Sequence, residues 1–242
     1  MTAVYVLAGF SVLLGGVAAY FGKNESHLPK LLVKTAASLL FCIAALAAFL
    51  RSSTDSPVYA ASIALALILG LTGDIFLAAE ALCSDKKTSS VFLIFGGACF
   101  LTGHLFYIVI FFILAPIIPL VFLLALVVPA MFLALALVPV IKTEDGKRVP
   151  ILGAGKLLIP FLIYALILGL LLSSALNAYL HLNSVAGSVV LAASVLFILS
   201  DTSLAINGFS SVNFKLKPYL NYPVFILYYI AQALFAISIA LI

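Results

Sequence analysis

The sequence contains few charged residues for its length. Only 8% of its 242 residues are charged, whereas 66% are hydrophobic. Apolar runs of about 20 residues, the length that a bilayer-spanning helix requires, recur along the whole chain. This composition excludes an ordinary soluble domain and predicts a polytopic membrane protein.

Cysteine and histidine are also scarce, with three of each. The cysteines are odd in number and lack ligand spacing, which argues against a disulfide framework and a zinc knuckle. His27 and His181 fall in predicted loops, so only His104 lies within a predicted span. We therefore expect no site of three histidines, no bound metal and no cofactor. The sequence alone leaves a mixed site of histidine and aspartate open.

Four further features are missing from the sequence. The basic residues form no stripe with interleaved aromatic residues, so the net charge of +4 does not indicate nucleic-acid binding. The alternating pattern of a β-barrel is absent, and no loop is long enough for a soluble domain. Segment 2–21 lacks a basic n-region, and we interpret it as a retained helix rather than a cleaved signal peptide.

What the sequence does contain is a series of continuous apolar segments, which only helices can accommodate in a bilayer. We predict an all-α bundle of eight transmembrane helices that forms one domain over residues 1–242. The fifth span contains Pro119, Pro129 and Pro139, which predict a kinked helix without catalytic chemistry. The predicted spans are 2–21, 31–50, 57–82, 89–114, 117–141, 152–180, 184–209 and 219–242.

The distribution of Lys and Arg between the loops predicts the orientation. The loops after the second, fourth and sixth spans carry only Arg51. The loops after the odd-numbered spans are basic, and both termini are therefore predicted to be non-cytoplasmic. The basic residues of these loops are Lys23, Lys30, Lys86, Lys87, Lys142, Lys147, Arg148, Lys215 and Lys217.

An aspartate within an apolar span is the most unusual feature of the chain. Asp201 lies in FILSDTSLAINGF at 197–209, and an ionised carboxylate is costly at membrane depth. The motif SDTSLA at 200–205 has a counterpart in GDIFLA at 73–78, which contains Asp74. Each acid follows the predicted start of its span by 17 residues, so both reach a similar depth in the cytoplasmic half at about 1.5 Å per residue. The repetition is consistent with a pseudo-repeat of two parallel four-helix halves.

Small residues accompany both acids along their helices. Such residues let helix backbones approach closely, so both acid-bearing faces are predicted to point inward, towards a polar chamber. The faces are Gly187, Ser194, Asp201 and Gly208 in the seventh span, and Ser62, Ala66, Gly70, Asp74 and Ala78 in the third.

Other polar residues within the spans are candidates to support the acids or to bind a substrate. His104 and Tyr107 lie one turn apart on one helical face. Lys34 and Lys156 either line the chamber or extend their ammonium groups to the membrane interface. The candidates are Lys34, His104, Tyr107, Tyr164, Asn207, Tyr229 and Gln232.

Several segments together resemble a known family. The combination is similar to that of the YhhN-like lysoplasmalogenases, and its spacing covers nearly the whole chain. The segments are Lys34 early in the second span, GDIFLA at 73–78, TGHLFY at 102–107, LFILSDTSLAINGF at 196–209 and YYIAQAL at 228–234.

The resemblance implies hydrolysis of the vinyl ether bond of lysoplasmalogens, which releases a fatty aldehyde and glycerophosphoethanolamine or glycerophosphocholine. Proton transfer to the β-carbon creates an oxocarbenium ion that water attacks, and glycosidases use two carboxyl groups for a similar cation. The resemblance therefore implies that Asp74 and Asp201 are catalytic, one as the acid and the other as base and cation stabiliser. The sequence leaves open which is which.

A proton-coupled transporter of a small solute or a lipid is the alternative, because paired acids on two parallel helices also suit a carrier. The sequence shows no broken helix at corresponding positions of the two halves, which argues against it. We expect a multi-pass protein of the endoplasmic reticulum in a eukaryote, or of the inner or cell membrane in a bacterium. The oligomeric state is not indicated.

Overall fold

The computed structural model describes residues 1–51, 57–142, 147–153, 158–210 and 217–242. Two 3₁₀ helices, Pro119–Leu126 and Lys217–Leu220, accompany the α-helices. The α-helices are α1 (Thr2–Lys23), α2 (His27–Phe49), α3 (Pro57–Glu80), α4 (Lys86–Leu114), α5 (Val127–Leu137), α6 (Leu158–Leu182), α7 (Val185–Phe209) and α8 (Asn221–Ser238).

The architecture confirms the predicted membrane bundle. Within the described residues, eight helical stretches are long and apolar enough to cross a membrane, if Pro119–Leu137 is counted as one. Large hydrophobic side chains remain exposed all around the bundle, as expected for a surface that faces lipid. The orientation of the termini and the pseudo-repeat stay predictions.

The fifth span differs most from its prediction. We predicted one kinked helix over 117–141, whereas the chain forms a 3₁₀ helix, then α5, and then strand β1, Pro139–Lys142, which pairs antiparallel with β2, Arg148–Pro150. Proline explains the boundaries: Pro119 lies at the start of the 3₁₀ helix, and Pro139 cannot continue a helix because it lacks an N–H and clashes with the preceding turn.

Other boundaries also need correction. The sixth span begins at Leu158 rather than at 152, and Leu152 instead forms a β-bridge with Ser210. His27 and His181, which we placed in loops, are the first residue of α2 and a residue in the last turn of α6. Lys156 and Lys215 lie outside the described residues.

Two apolar clusters hold the bundle together. The larger one is formed by α1, α2, α3, α4, α6, α7 and α8, and the smaller one by α5, α6 and α7 with Leu152. The helices approach closely at glycines, as at Gly15, which packs against the ring of Tyr229. This packing brings the inner faces of α2, α3, α7 and α8 towards each other.

The inward orientation of the two acid-bearing faces is confirmed. On α7, Gly187, Ser194 and Asp201 are buried. The buried residues of the corresponding face on α3 are Ala66, Gly70, Asp74 and Ala78. Gly208 is exposed, because the last turn of α7 reaches the end of the bundle.

A glycine at a helix crossing provides a test of this packing. A Cβ atom at Gly169 in α6 would overlap the carbonyl oxygen of Ala125, which belongs to the backbone and cannot rotate away. Gly169→Ala is therefore expected to destabilise the protein by about 1–3 kcal/mol, the usual cost of overpacking. Thermal unfolding of the purified protein in detergent measures this effect.

Gly97 in α4 is the matched control, because no atom lies within 4 Å of the place that a Cβ would occupy there. Gly97→Ala is expected to be neutral or slightly stabilising, since alanine has the better helix propensity. Equal unfolding temperatures for the two variants would contradict the close crossing at Gly169.

Candidate active site

One cavity of about 330 Å³ contains both intramembrane aspartates. It lies at the end of the bundle where α3 and α7 finish and where α2, α6 and α8 begin. Apolar residues such as Leu77, Leu93 and Phe225 complete the wall. The polar residues that line it are Lys30, Lys34, Asp74, Glu80, Tyr164, Ser200, Asp201, Asn207, Asn221 and Tyr228.

Asp74 is held by three partners from two neighbouring helices. The Lys34 ammonium lies 2.9 Å from Oδ1, the Ser38 hydroxyl donates to Oδ2 at 2.5 Å, and the Tyr228 hydroxyl donates to the same oxygen at 2.8 Å. The carboxyl group is almost fully enclosed, with Asp74 only 1% exposed. A buried carboxylate with a cation and two hydroxyl donors is the arrangement that compensates the loss of solvation.

Lys34 does not extend to the membrane interface, and that alternative is wrong. The residue is 6% exposed and its ammonium forms an ion pair with Asp74. It lies about two turns inside α2, on the face that contacts α3. The attraction of a buried carboxylate replaces the water that a free ammonium would seek.

Tyr229 supports this cluster from α8. Its hydroxyl donates to the carbonyl oxygen of Lys34 at 3.0 Å and lies 3.0 Å from the hydroxyl of Ser38. Gln232, one turn further along α8, accepts a hydrogen bond from the Tyr107 hydroxyl at 2.9 Å. Tyr229, Gln232 and Tyr107 therefore lie behind the cavity wall, where they support its residues.

Asp201 has different surroundings. The hydroxyl of Tyr164, from α6, donates to its Oδ2 at 2.6 Å, and the residue is 9% exposed at the cavity wall. Within the described part of the chain, no ammonium or guanidinium group forms an ion pair with this carboxyl. One cavity thus holds a carboxylate that is paired with a cation and a second carboxyl that is bonded to a phenol.

The remaining two candidates occupy different places. Asn207 lines the cavity, and its amide donates to the side chain of Asn221 at 3.4 Å. His104 is buried outside the cavity, with its ring edge-on to Phe197 and Tyr164. Its Nδ1 lies 2.6 Å from the carbonyl oxygen of Phe100, so it contacts neither aspartate. In the described ranges no group of three metal-binding side chains is found.

Six polar residues of the site were missed from the sequence: Ser38, which contacts Asp74, and Lys30, Glu80, Ser200, Asn221 and Tyr228, which line the cavity. Ser38 lies one turn after Lys34 on the same helical face, which is a signal that the sequence did contain. Lys30 and Glu80 lie near the helix ends at the cavity. Charged residues are common at such positions, so their presence in the sequence does not indicate a site.

Comparison with known proteins supports one assignment. No curated protein and no solved structure matches the chain. The model of the YhhN family matches residues 30–239, which include the whole cavity and confirm the resemblance seen in the motifs. With nearly its whole length matched, the chain belongs to the YhhN family.

Proposed function

We propose that this protein is a lysoplasmalogenase, which hydrolyses the vinyl ether bond of alkenyl-lysoglycerophospholipids. The observation that carries the proposal is that two carboxyl groups with different partners line one cavity in an apolar bundle. Membership of the YhhN family supports it. The products are a fatty aldehyde and glycerophosphoethanolamine or glycerophosphocholine.

The surroundings of the two acids suggest their roles. Asp74 lies against the Lys34 ammonium and is the group suited to stabilise a cation that forms in the cavity. Asp201 has a phenol as its partner and is the group suited to carry the proton. We therefore assign Asp201 as the general acid and Asp74 as the anion beside the oxocarbenium ion.

The reaction then proceeds in three proton-balanced steps. The Asp201 carboxyl transfers its proton to the β-carbon of the vinyl ether, and the positive charge develops on the α-carbon and the ether oxygen. Water adds to the α-carbon and gives its proton to the Asp201 carboxylate, which forms a hemiacetal. The bond between the hemiacetal carbon and the glycerol oxygen then breaks as this oxygen takes the proton from Asp201, and the hemiacetal hydroxyl returns its proton to Asp201 as it becomes the aldehyde carbonyl.

We assign binding of the head group to the charged residues near the helix ends. Lys30 and Glu80 both line the cavity, and the Lys30 ammonium lies 5.9 Å from the ring centroid of Phe225. A phosphate next to Lys30 and an amine next to Glu80 complement the charges of a zwitterionic lipid. The reacting bond of such a lipid then extends inward, towards the two aspartates.

Lys30→Gln is expected to raise KM for a lysoplasmalogen roughly tenfold or more, with little change in kcat. The reason is the loss of a hydrogen bond to a charged group, worth about 1.5–3 kcal/mol. Steady-state kinetics in detergent measure the effects on KM and on kcat separately. Lys86→Gln is the control, because Lys86 is exposed at the same end of the bundle, and an equal effect there would contradict a specific role for Lys30.

Aldehyde release by the purified protein in detergent tests the proposal itself. Lysoplasmenylethanolamine and lysoplasmenylcholine should yield aldehyde, whereas matched lysophospholipids with an ester or a saturated ether should not. No membrane gradient exists in detergent, so a carrier would give no product. Absence of aldehyde from every vinyl ether substrate, with protein shown to be folded, would overturn the proposal.

A proton-coupled transporter is the second candidate, because both acids line a cavity at one end of the bundle. Carriers of this kind often break the helices that bear the binding site. Here α3 and α7 are continuous helices through Asp74 and Asp201. Uptake into proteoliposomes that depends on a pH gradient, without product formation, would favour the carrier.

A further inference from the structure

A small void lies inside the bundle between α3, α4, α7 and α8. Its volume is about 10 Å³, close to the space that a single water molecule needs for its centre. Its wall includes Gly70, Gly103, His104 and Gln232. Two of these are glycines, and α4 approaches α3 closely beside the void, since a Cβ at Gly103 would lie 3.3 Å from the carbonyl oxygen of Ala66.

The ring of His104 presents an unpartnered nitrogen in this region. Its Nδ1 lies 2.6 Å from the Phe100 carbonyl oxygen, and this contact requires the proton on Nδ1, since a carbonyl can only accept. The Nε2 atom is then an acceptor. It is fully buried and no donor reaches it within the described part of the chain. A buried acceptor without a donor is costly, which indicates a missing partner.

Gln232 supplies the complementary group. Its Oε1 accepts the hydrogen bond from Tyr107, which fixes the orientation of the amide and leaves two N–H groups on Nε2 as donors. These two N–H groups can serve acceptors on the side of the void. The Nε2 atom lies on the side of Gly70, since a Cβ at that glycine would be only 2.8 Å away from it. A donor and an acceptor therefore border the same void.

We propose that this void binds one water molecule, which donates to His104 Nε2 and accepts from Gln232 Nε2. His104 and Gln232 then hold this water molecule in place. The water connects α4 to α8 one turn away from Tyr228, whose hydroxyl donates to Asp74. This inference concerns the interior of the fold and does not depend on the proposed function.

Water-edited NMR on the full-length protein in lipid bilayers, with ¹⁵N-labelled histidine, tests the site. The three histidines are assigned with the variants His27→Gln and His181→Gln. Magnetisation is expected to pass from water to His104, whose Nδ1 should be protonated and whose Nε2 should show the shift of a hydrogen-bonded acceptor. His181 is exposed and serves as the positive control for water contact.

Gln232→Leu removes the donor at similar side-chain size and should reduce the transfer to His104 several-fold. No transfer to His104 in the wild-type protein would overturn the proposal, whether or not the variant folds. Unchanged transfer in folded Gln232→Leu would overturn the part of the proposal that assigns Gln232 as the donor.

Discussion

Asp201→Asn is expected to abolish the release of aldehyde from lysoplasmalogens, with a loss of about 10²–10⁴-fold in kcat, the contribution usual for general acid catalysis. An amide has no acidic proton to transfer to carbon. The Tyr164 hydroxyl, which donates to the carboxyl at 2.6 Å, still finds an acceptor in the amide oxygen. The fold should therefore persist, and initial rates on purified protein measure the effect.

Asp85 provides the matched control. It is exposed at the start of α4, where its carboxylate accepts a hydrogen bond from the Thr88 backbone N–H at 2.9 Å. This bond holds the pKa of Asp85 below its usual value. Asparagine caps a helix about as well as aspartate, so Asp85→Asn should retain full activity. Near-normal turnover by Asp201→Asn would refute the role of Asp201 as the acid.

The contribution of the Lys34–Asp74 ion pair to stability can be measured by comparing the two single variants with the double variant. Lys34→Met leaves a buried carboxylate without its cation and should cost about 3–5 kcal/mol of stability. Asp74→Asn leaves a buried ammonium and should have a similar effect. The double variant carries neither charge, and we expect it to regain most of the stability, because a neutral pair of similar size avoids the desolvation penalty.

Activity should follow a different pattern from stability in this series. The double variant lacks the carboxylate to which we assign stabilisation of the oxocarbenium ion, so it should stay inactive although it folds. Thermal unfolding in detergent and aldehyde release, measured on the same preparations, separate the two effects. A stable and active double variant would show that the ion pair is only structural.

The burial of the two acids and their shared cavity follow from features visible in the sequence. A charged residue within an apolar helix must face the interior, and small residues along the same face mark the side that packs. Equal distances from the helix starts placed Asp74 and Asp201 at similar depth. The sequence therefore predicted that both acids face the interior of the bundle at similar depth.

The partners of the acids could not be predicted to the same degree. Ser38 and Tyr228 are ordinary residues until α2 and α8 are placed against α3, since only tertiary packing brings their hydroxyl groups to Asp74. His104 was a candidate for the chamber, but its ring is buried against Phe197 and Tyr164, and its Nδ1 contacts the carbonyl oxygen of Phe100 instead of a carboxyl group. The 3₁₀ helix at the start of the fifth span also depends on tertiary packing, because it crosses α6 closely at Gly169.

Each acid has a partner on the helix that precedes it in the chain. Lys34 in α2 meets Asp74 in α3, and Tyr164 in α6 meets Asp201 in α7. During synthesis, the partner is therefore already present when the acid reaches the membrane. The α2–α3 pair can insert as a hairpin in which the charges of Lys34 and Asp74 compensate each other, which reduces the cost of placing both charges in lipid. The cavity that holds the two acids is in this way compatible with membrane insertion two helices at a time.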